Sequence, residues 1–129
     1  MQNIGTYITE KLKLNKDSGS HYNYHPKDRD ELRQLIQELL KERGKDADLN
    51  DIDTSDITDM HHLFYGLNIH NINISEWDVS NVKDMWMMFY GCVKFDCDLS
   101  EWDTTECKIK AGMFMRCHSL KKIPDWYTE

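Results

Sequence analysis

No stretch of this chain approaches the ~20 consecutive apolar residues that a membrane-spanning helix needs, so no span is expected. The opening MQNIGTYITEKLKLNK has neither an apolar core of roughly seven residues nor a small-residue cleavage site, and does not read as a secretory signal. The expectation is a cytoplasmic protein. Paired Cys-x-x-Cys spacing is missing as well. Cys92, Cys97, Cys107 and Cys117 stand singly, which speaks against structural zinc and, in a reducing compartment, for free thiols. There is no nucleophile elbow, no phosphate-cradling glycine loop and no HExxH, and nothing pairs His21, His25 or Cys107 into a catalytic set. Neither an enzyme nor a cofactor is expected.

Positive charge is scarce where it matters most. Residues 46–106 hold two basic side chains, Lys83 and Lys94, against fourteen Asp/Glu, a balance of −12. Residues 1–45 carry +2 and 107–129 carry +3, within a total of −7. A belt this acidic disfavours direct contact of the central region with nucleic acid or an anionic membrane. It favours a protein partner with a basic surface.

What the chain does have is repetition. Ile52, Trp77 and Trp102 are 25 residues apart, and Trp126 follows 24 later. Asp53, Asp78 and Asp103 keep the interval of 25, as do Ser55, Ser80 and Thr105, then Phe64, Phe89 and Phe114. Short units that cannot bury an apolar face alone do so by stacking. Each unit reads as an extended half, such as KFDCDLSEWD (94–103) with Phe95, Leu99 and Trp102 inward, and a short helical half. In NVKDMWMMFYG (81–91), Val82, Met85, Met88 and Phe89 fall on one helical face, with Ser80 or Asn81 as cap, Asp84 in the first turn and Gly91 at the end. The predicted fold is an α/β leucine-rich-repeat-like solenoid, with a short parallel sheet and one short helix per coil.

Ahead of the repeats, KDRDELRQLIQELLKER (27–43) predicts an amphipathic helix. Leu32, Leu35, Ile36, Leu39 and Leu40 form its apolar stripe, Asp28 and Glu31 fit a capping box, and Gly44 stops it. It is expected to cap the first coil. A weaker helix is expected within 4–13, and loop over 14–25. The predicted organisation is therefore 1–46, N-terminal segment and capping helix, then 47–129, three repeats and a closing strand at 123–127.

WDVSNVKDMWMMFYGC (77–92) resembles the BspA-like branch of the leucine-rich repeats, whose pattern runs loosely Leu-Ser-x-Trp-Asp-Val-Ser-Asn-Val-x-x-Met-x-x-Met-Phe-x-x-Cys. The resemblance spans about 47–126 and is nearly complete in the middle copy, with Ile74 for Leu. The first copy has Ile52 for Trp and Leu67 for Cys, and the third has Thr104, Thr105, Glu106 and Cys107 for Val-Ser-Asn-Val. It implies a repeat fold and a habit of binding proteins, with no reaction.

The Asp53/Asp78/Asp103 column, with Asp84, makes an acidic surface, and each of the three column members reads as an Asx turn onto the residue two further on. The glycine-rich loops of calcium solenoids are absent. A zinc site from His61, His62, Cys92 and Cys117 is disfavoured because coil columns make ladders rather than tetrahedra. The Trp and Phe columns, with Cys92 and Cys117 beside them, read as core.

Trp86, Met87, Tyr90, His61, His62, Tyr65 and Met115 fall on the outward side of the helical halves. They make either a partner-binding patch or a surface covered by the N-terminal segment or a loop. The expected function is a non-enzymatic protein–protein interaction module inside the cell. One alternative is an acidic stoichiometric inhibitor of a nucleic-acid-binding protein, of the phage anti-defence (anti-CRISPR) type. Another is a fragment of a bacterial surface adhesin. A homodimer through an uncovered solenoid end is also open.

Overall fold

The structure, a computed structural model, describes residues 21–128. The helix expected within 4–13 lies outside them. Helix α1 runs Arg29–Arg43. Asp28 is extended (φ −146°, ψ 175°), and its carboxylate accepts the Glu31 N–H at 2.9 Å. Glu31 reaches back to accept the Lys27 N–H at 3.1 Å, so both ends of the box are used. Gly44 turns left-handed (φ 90°) and ends the helix, its N–H on the Leu40 carbonyl at 2.9 Å. The stripe Leu32, Leu35, Ile36 and Leu39 is fully buried against the repeats.

The expected solenoid architecture is corrected by the repeats themselves. Among the described residues α1 is the only helix, and no strand forms. Pairing between copies is reduced to four isolated parallel bridges: Tyr24 with Ile52, Asp48 with Asn73, Asp59 with Asp84 and Asp84 with Ile109. No helix occupies 82–91 because Met87 sits at φ 50°, and its counterparts His62 and Gly112 sit at 54° and 67°. One left-handed residue ends an α-helix. The closing segment is a turn rather than a strand, with the Tyr127 N–H on the Pro124 carbonyl at 3.0 Å.

In place of a helix, each copy makes tight turns whose N–H groups alternate in direction. Leu63, Tyr65 and Leu67 donate back three residues, to Met60, His62 and Phe64, at 3.1 to 3.2 Å. Between them, Met60, His62 and Phe64 donate forward to Asp84, Trp86 and Met88 of the next copy, at 2.8, 2.9 and 3.0 Å. The next pair of copies repeats this: Met85, Met87, Phe89 and Gly91 donate to Ile109, Ala111, Met113 and Met115 at 2.7 to 3.0 Å. Half of these donors are spent locally, so a continuous sheet ladder has no material. Asx turns break the extended halves: Asp53, Asp78 and Asp103 accept the N–H of Ser55, Ser80 and Thr105 at 3.0, 3.0 and 3.1 Å.

The core is a set of aromatic ladders. Phe64, Phe89 and Phe114 stack at 5.3 and 5.6 Å with planes within 7° and 4° of parallel. Trp77, Trp102 and Trp126 stack at 6.5 and 6.2 Å. Each indole N–H donates to the preceding copy: Trp77 to Leu49, Trp102 to Ile74 and Trp126 to Leu99, at 2.9, 3.1 and 2.8 Å. Cys92 is buried, whereas Cys117 and Trp126 are half-buried. Residues ahead of α1 add a partial coil, with the Asp53 N–H on the Tyr24 carbonyl at 2.8 Å.

Candidate functional site

The turns 61–66, 86–91 and 111–116 stack side by side, which brings the non-repeating columns into one surface. Tyr65 is 49% exposed, Trp86 40% and Met115 46%. His61, His62, Met87 and Tyr90 are half-buried beside them. The rings are in mutual contact: His62 lies 4.7 Å from Trp86 and 5.2 Å from Tyr65, and Tyr65 lies 5.6 Å from Tyr90. The Arg116 guanidinium covers Tyr90 at 5.8 Å, a cation–π contact. Met87 folds over Gly112, where an added Cβ would come 3.1 Å from Met87 Cγ.

The acidic columns are exposed but locally engaged. Asp78 and Asp103 are exposed, and each also accepts its Ser80 or Thr105 hydroxyl at 2.6 Å. The Thr105 hydroxyl and N–H hold Asp103 below the usual carboxylate range. Burial pushes Asp53 up, but hydrogen bonds from Ser55 and His25 outweigh it and hold its carboxyl low. His25 is clasped between Asp53 (2.9 Å) and Asp56 (2.7 Å). Asp84 accepts the Trp86 N–H at 2.9 Å and so sets the turn that presents the indole.

Sequence reasoning missed one cluster. Single ligand atoms of Asp59, His61 and Asp84 all lie within 4.8 Å of one another, a donor set suited to a divalent cation. The Asp59/Asp84 spacing of 25 was the legible signal. However, His61 Nδ1 already lies 2.7 Å from Asp59, and Lys27 and Arg29 line the same cavity, of about 500 Å³. His61, His62, Cys92 and Cys117 form no zinc site: Cys92 and Cys117 donate to the Phe64 and Phe89 carbonyls instead.

A second missed feature lies at the head of the stack. The His61, Leu63 and Tyr65 carbonyls are the counterparts of those that accept from the preceding copy further along. Arg29 donates to His61, and Arg33 donates to Leu63 at 2.7 Å and Tyr65 at 2.8 Å. Two guanidinium groups thus take the place that the N–H groups of a preceding copy take further along.

A family model matches residues 31–129, which takes in most of α1 and every repeat. The chain belongs to the family described as "Mycoplasma protein of unknown function, DUF285". No curated protein and no solved structure matches it. Among the described residues, no helix is long and apolar enough to cross a membrane.

Proposed function

We propose that this member of the DUF285 family is a non-enzymatic binding module inside the cell, and that it meets a protein partner through the face built on Trp86. The observation that carries the reading is the contiguous run of His62, Trp86, Tyr65 and Tyr90 rings at a partly exposed surface. Aromatics and Met are the residues that dominate interface cores. The backbone adds support. Gly112 demonstrates that the left-handed position accepts glycine, yet His62 and Met87 place side chains there, at a conformational cost of about 1 kcal/mol each. The resemblance to the BspA-like repeats supports a binding habit in the same direction.

A second reading rests on the acidic belt, where Glu76, Asp78, Asp98 and Asp103 are exposed on successive copies. It makes the protein a stoichiometric inhibitor that occupies a basic groove. Salt separates the two, because contacts among exposed charges are screened and apolar ones are not. The test compares wild type with a Trp86→Ala/Tyr90→Ala double variant as bait in source-cell lysate at low and high salt. A single partner that survives high salt and is lost with the double variant, at about thirtyfold weaker affinity or more, supports the aromatic face. A partner unaffected by the double variant and released by salt overturns it in favour of the belt.

A further inference from the structure

Among the described residues, Asn50 Nδ2 is the one buried side-chain nitrogen or oxygen without a hydrogen-bond partner. The rest of Asn50 is engaged. Its N–H donates to Asp48 Oδ1 at 2.9 Å, and its Oδ1 accepts the Glu76 N–H of the next copy at 2.9 Å. The residue is 8% exposed, so an unmet donor there is costly and an incoming acceptor recovers that cost. The copies differ at this position. Ser75 and Ser100 occupy it in the next two, and the Ser75 hydroxyl closes onto Asn73 Oδ1 at 2.8 Å. The serine turn is complete in itself, whereas the asparagine turn keeps a free N–H.

Asn50 lines a cavity of about 280 Å³ together with His21, Arg43, Asp48, Asp51 and Glu76. The Arg43 guanidinium is spent on both Asp51 oxygens, at 2.7 and 2.9 Å, and on the Asp48 carbonyl at 2.9 Å. Neither the Asp48 nor the Glu76 carboxylate meets a basic side chain among the described residues. The cavity therefore holds one unmet N–H donor and two carboxylates without a cation.

We infer that this cavity is a binding site for an α-ammonium group and the carbonyl beside it, the chemistry of a peptide N-terminus or of a free amino acid amide. Asp48 and Glu76 take the ammonium, and Asn50 Nδ2 donates to the carbonyl oxygen. Capture of a terminal amine is a known mode of peptide recognition. The two demands together select the class. A metal ion, a simple amine or a lysine side chain answers the carboxylates but leaves the amide N–H unmet. A carboxylate alone answers the amide N–H but is repelled by Asp48 and Glu76. The volume lies just below the roughly 300–1,000 Å³ of drug-sized sites, so it suits a single terminal residue. None of these residues belongs to the Trp86 face, and the inference does not depend on that face.

The test is titration of the full chain, read by calorimetry and by NMR of the Asn50 side-chain amide. The probes are leucinamide and a short peptide that begins with leucine, each beside its N-acetylated form. Saturable binding is expected for the free amines alone, with a downfield shift of the Asn50 Nδ2 protons. Asn50→Ser installs the residue of the other copies, and Glu76→Gln changes an exposed side chain. Each is expected to weaken binding by about tenfold or more, with urea unfolding showing that the variant is folded. Tighter binding of the peptide identifies a protein N-terminus as the occupant, and tighter binding of leucinamide a small molecule; both support the site. Three outcomes overturn it: no saturable binding of either free amine, equal binding of the acetylated forms, or undiminished binding by either folded variant.

Discussion

Cys92 occupies the position beneath Phe89 where one copy meets the next, 4% exposed, with its thiol on the Phe64 carbonyl. Burial, with a smaller contribution from Cys117, pushes that thiol from the ordinary 9.0 up to about 12. The sign of the consequence is fixed by linkage. Below pH 9 the thiol is protonated in folded and unfolded chain alike. Between 9 and 12 the unfolded chain releases a proton that the folded one keeps. Stability is therefore full below 9 and falls as pH rises, by up to about 1.4 kcal/mol per pH unit from this one thiol. Urea midpoints measured from pH 8 to 11 are expected to decline for wild type, with a shallower slope for Cys92→Ala. Parallel slopes would show that the thiol ionises as freely in the folded chain as in the unfolded one.

At the scale of the element, the unit of this protein is a turn that buries residues as a helix does without being one. Val82, Met85, Met88 and Phe89 have helical spacing and are all buried, yet Met87 between them is left-handed. Three-residue back-bonds return the chain to the core with nearly the period of a helix, which is why the pattern reads as one. The second left-handed position holds Gly66, Gly91 and Arg116 at φ 75°, 75° and 63°. Arg116 keeps the backbone geometry of the two glycines and stacks on Tyr90. A Cβ at Gly91 meets nothing within 4 Å, so Gly91→Ala tests the backbone term alone. It is expected to cost about 1 kcal/mol in urea unfolding. A neutral result would mean that the turn relaxes out of the left-handed region at no cost.

For the whole molecule, the decisive arrangement is the tie between α1 and the first repeat. Arg33 donates three hydrogen bonds, to His62 (3.1 Å), Leu63 and Tyr65, and joins α1 to the first repeat. Arg33→Ala is expected to destabilise by about 2–3 kcal/mol, since charged donors are removed and partly buried carbonyls are left unmet. Arg33→Lys is expected to recover only part of this, because a single ammonium cannot reproduce a planar fork. Denaturant unfolding of the two variants checks both. A loss within about 0.5 kcal/mol for Ala would show that the apolar stripe of α1 docks without its arginines.

The sequence by itself determined the copy number, the 25-residue register, the aromatic columns and the bounds of α1 to within two residues. These follow from side-chain identity, capping chemistry and spacing, which are local or periodic properties. It also marked His61, His62, Tyr65, Trp86, Met87, Tyr90 and Met115 as non-repeating surface positions. Tertiary structure alone decided that the copies carry neither helix nor sheet, because that depends on which N–H of each turn is claimed by the neighbouring copy. It alone brought Asp84 beside Asp59 and His61 and set Arg29 and Arg33 on the first row of carbonyls. A backbone donor carries no side-chain signature, so whether it is paired is settled only when the neighbouring coil is in place.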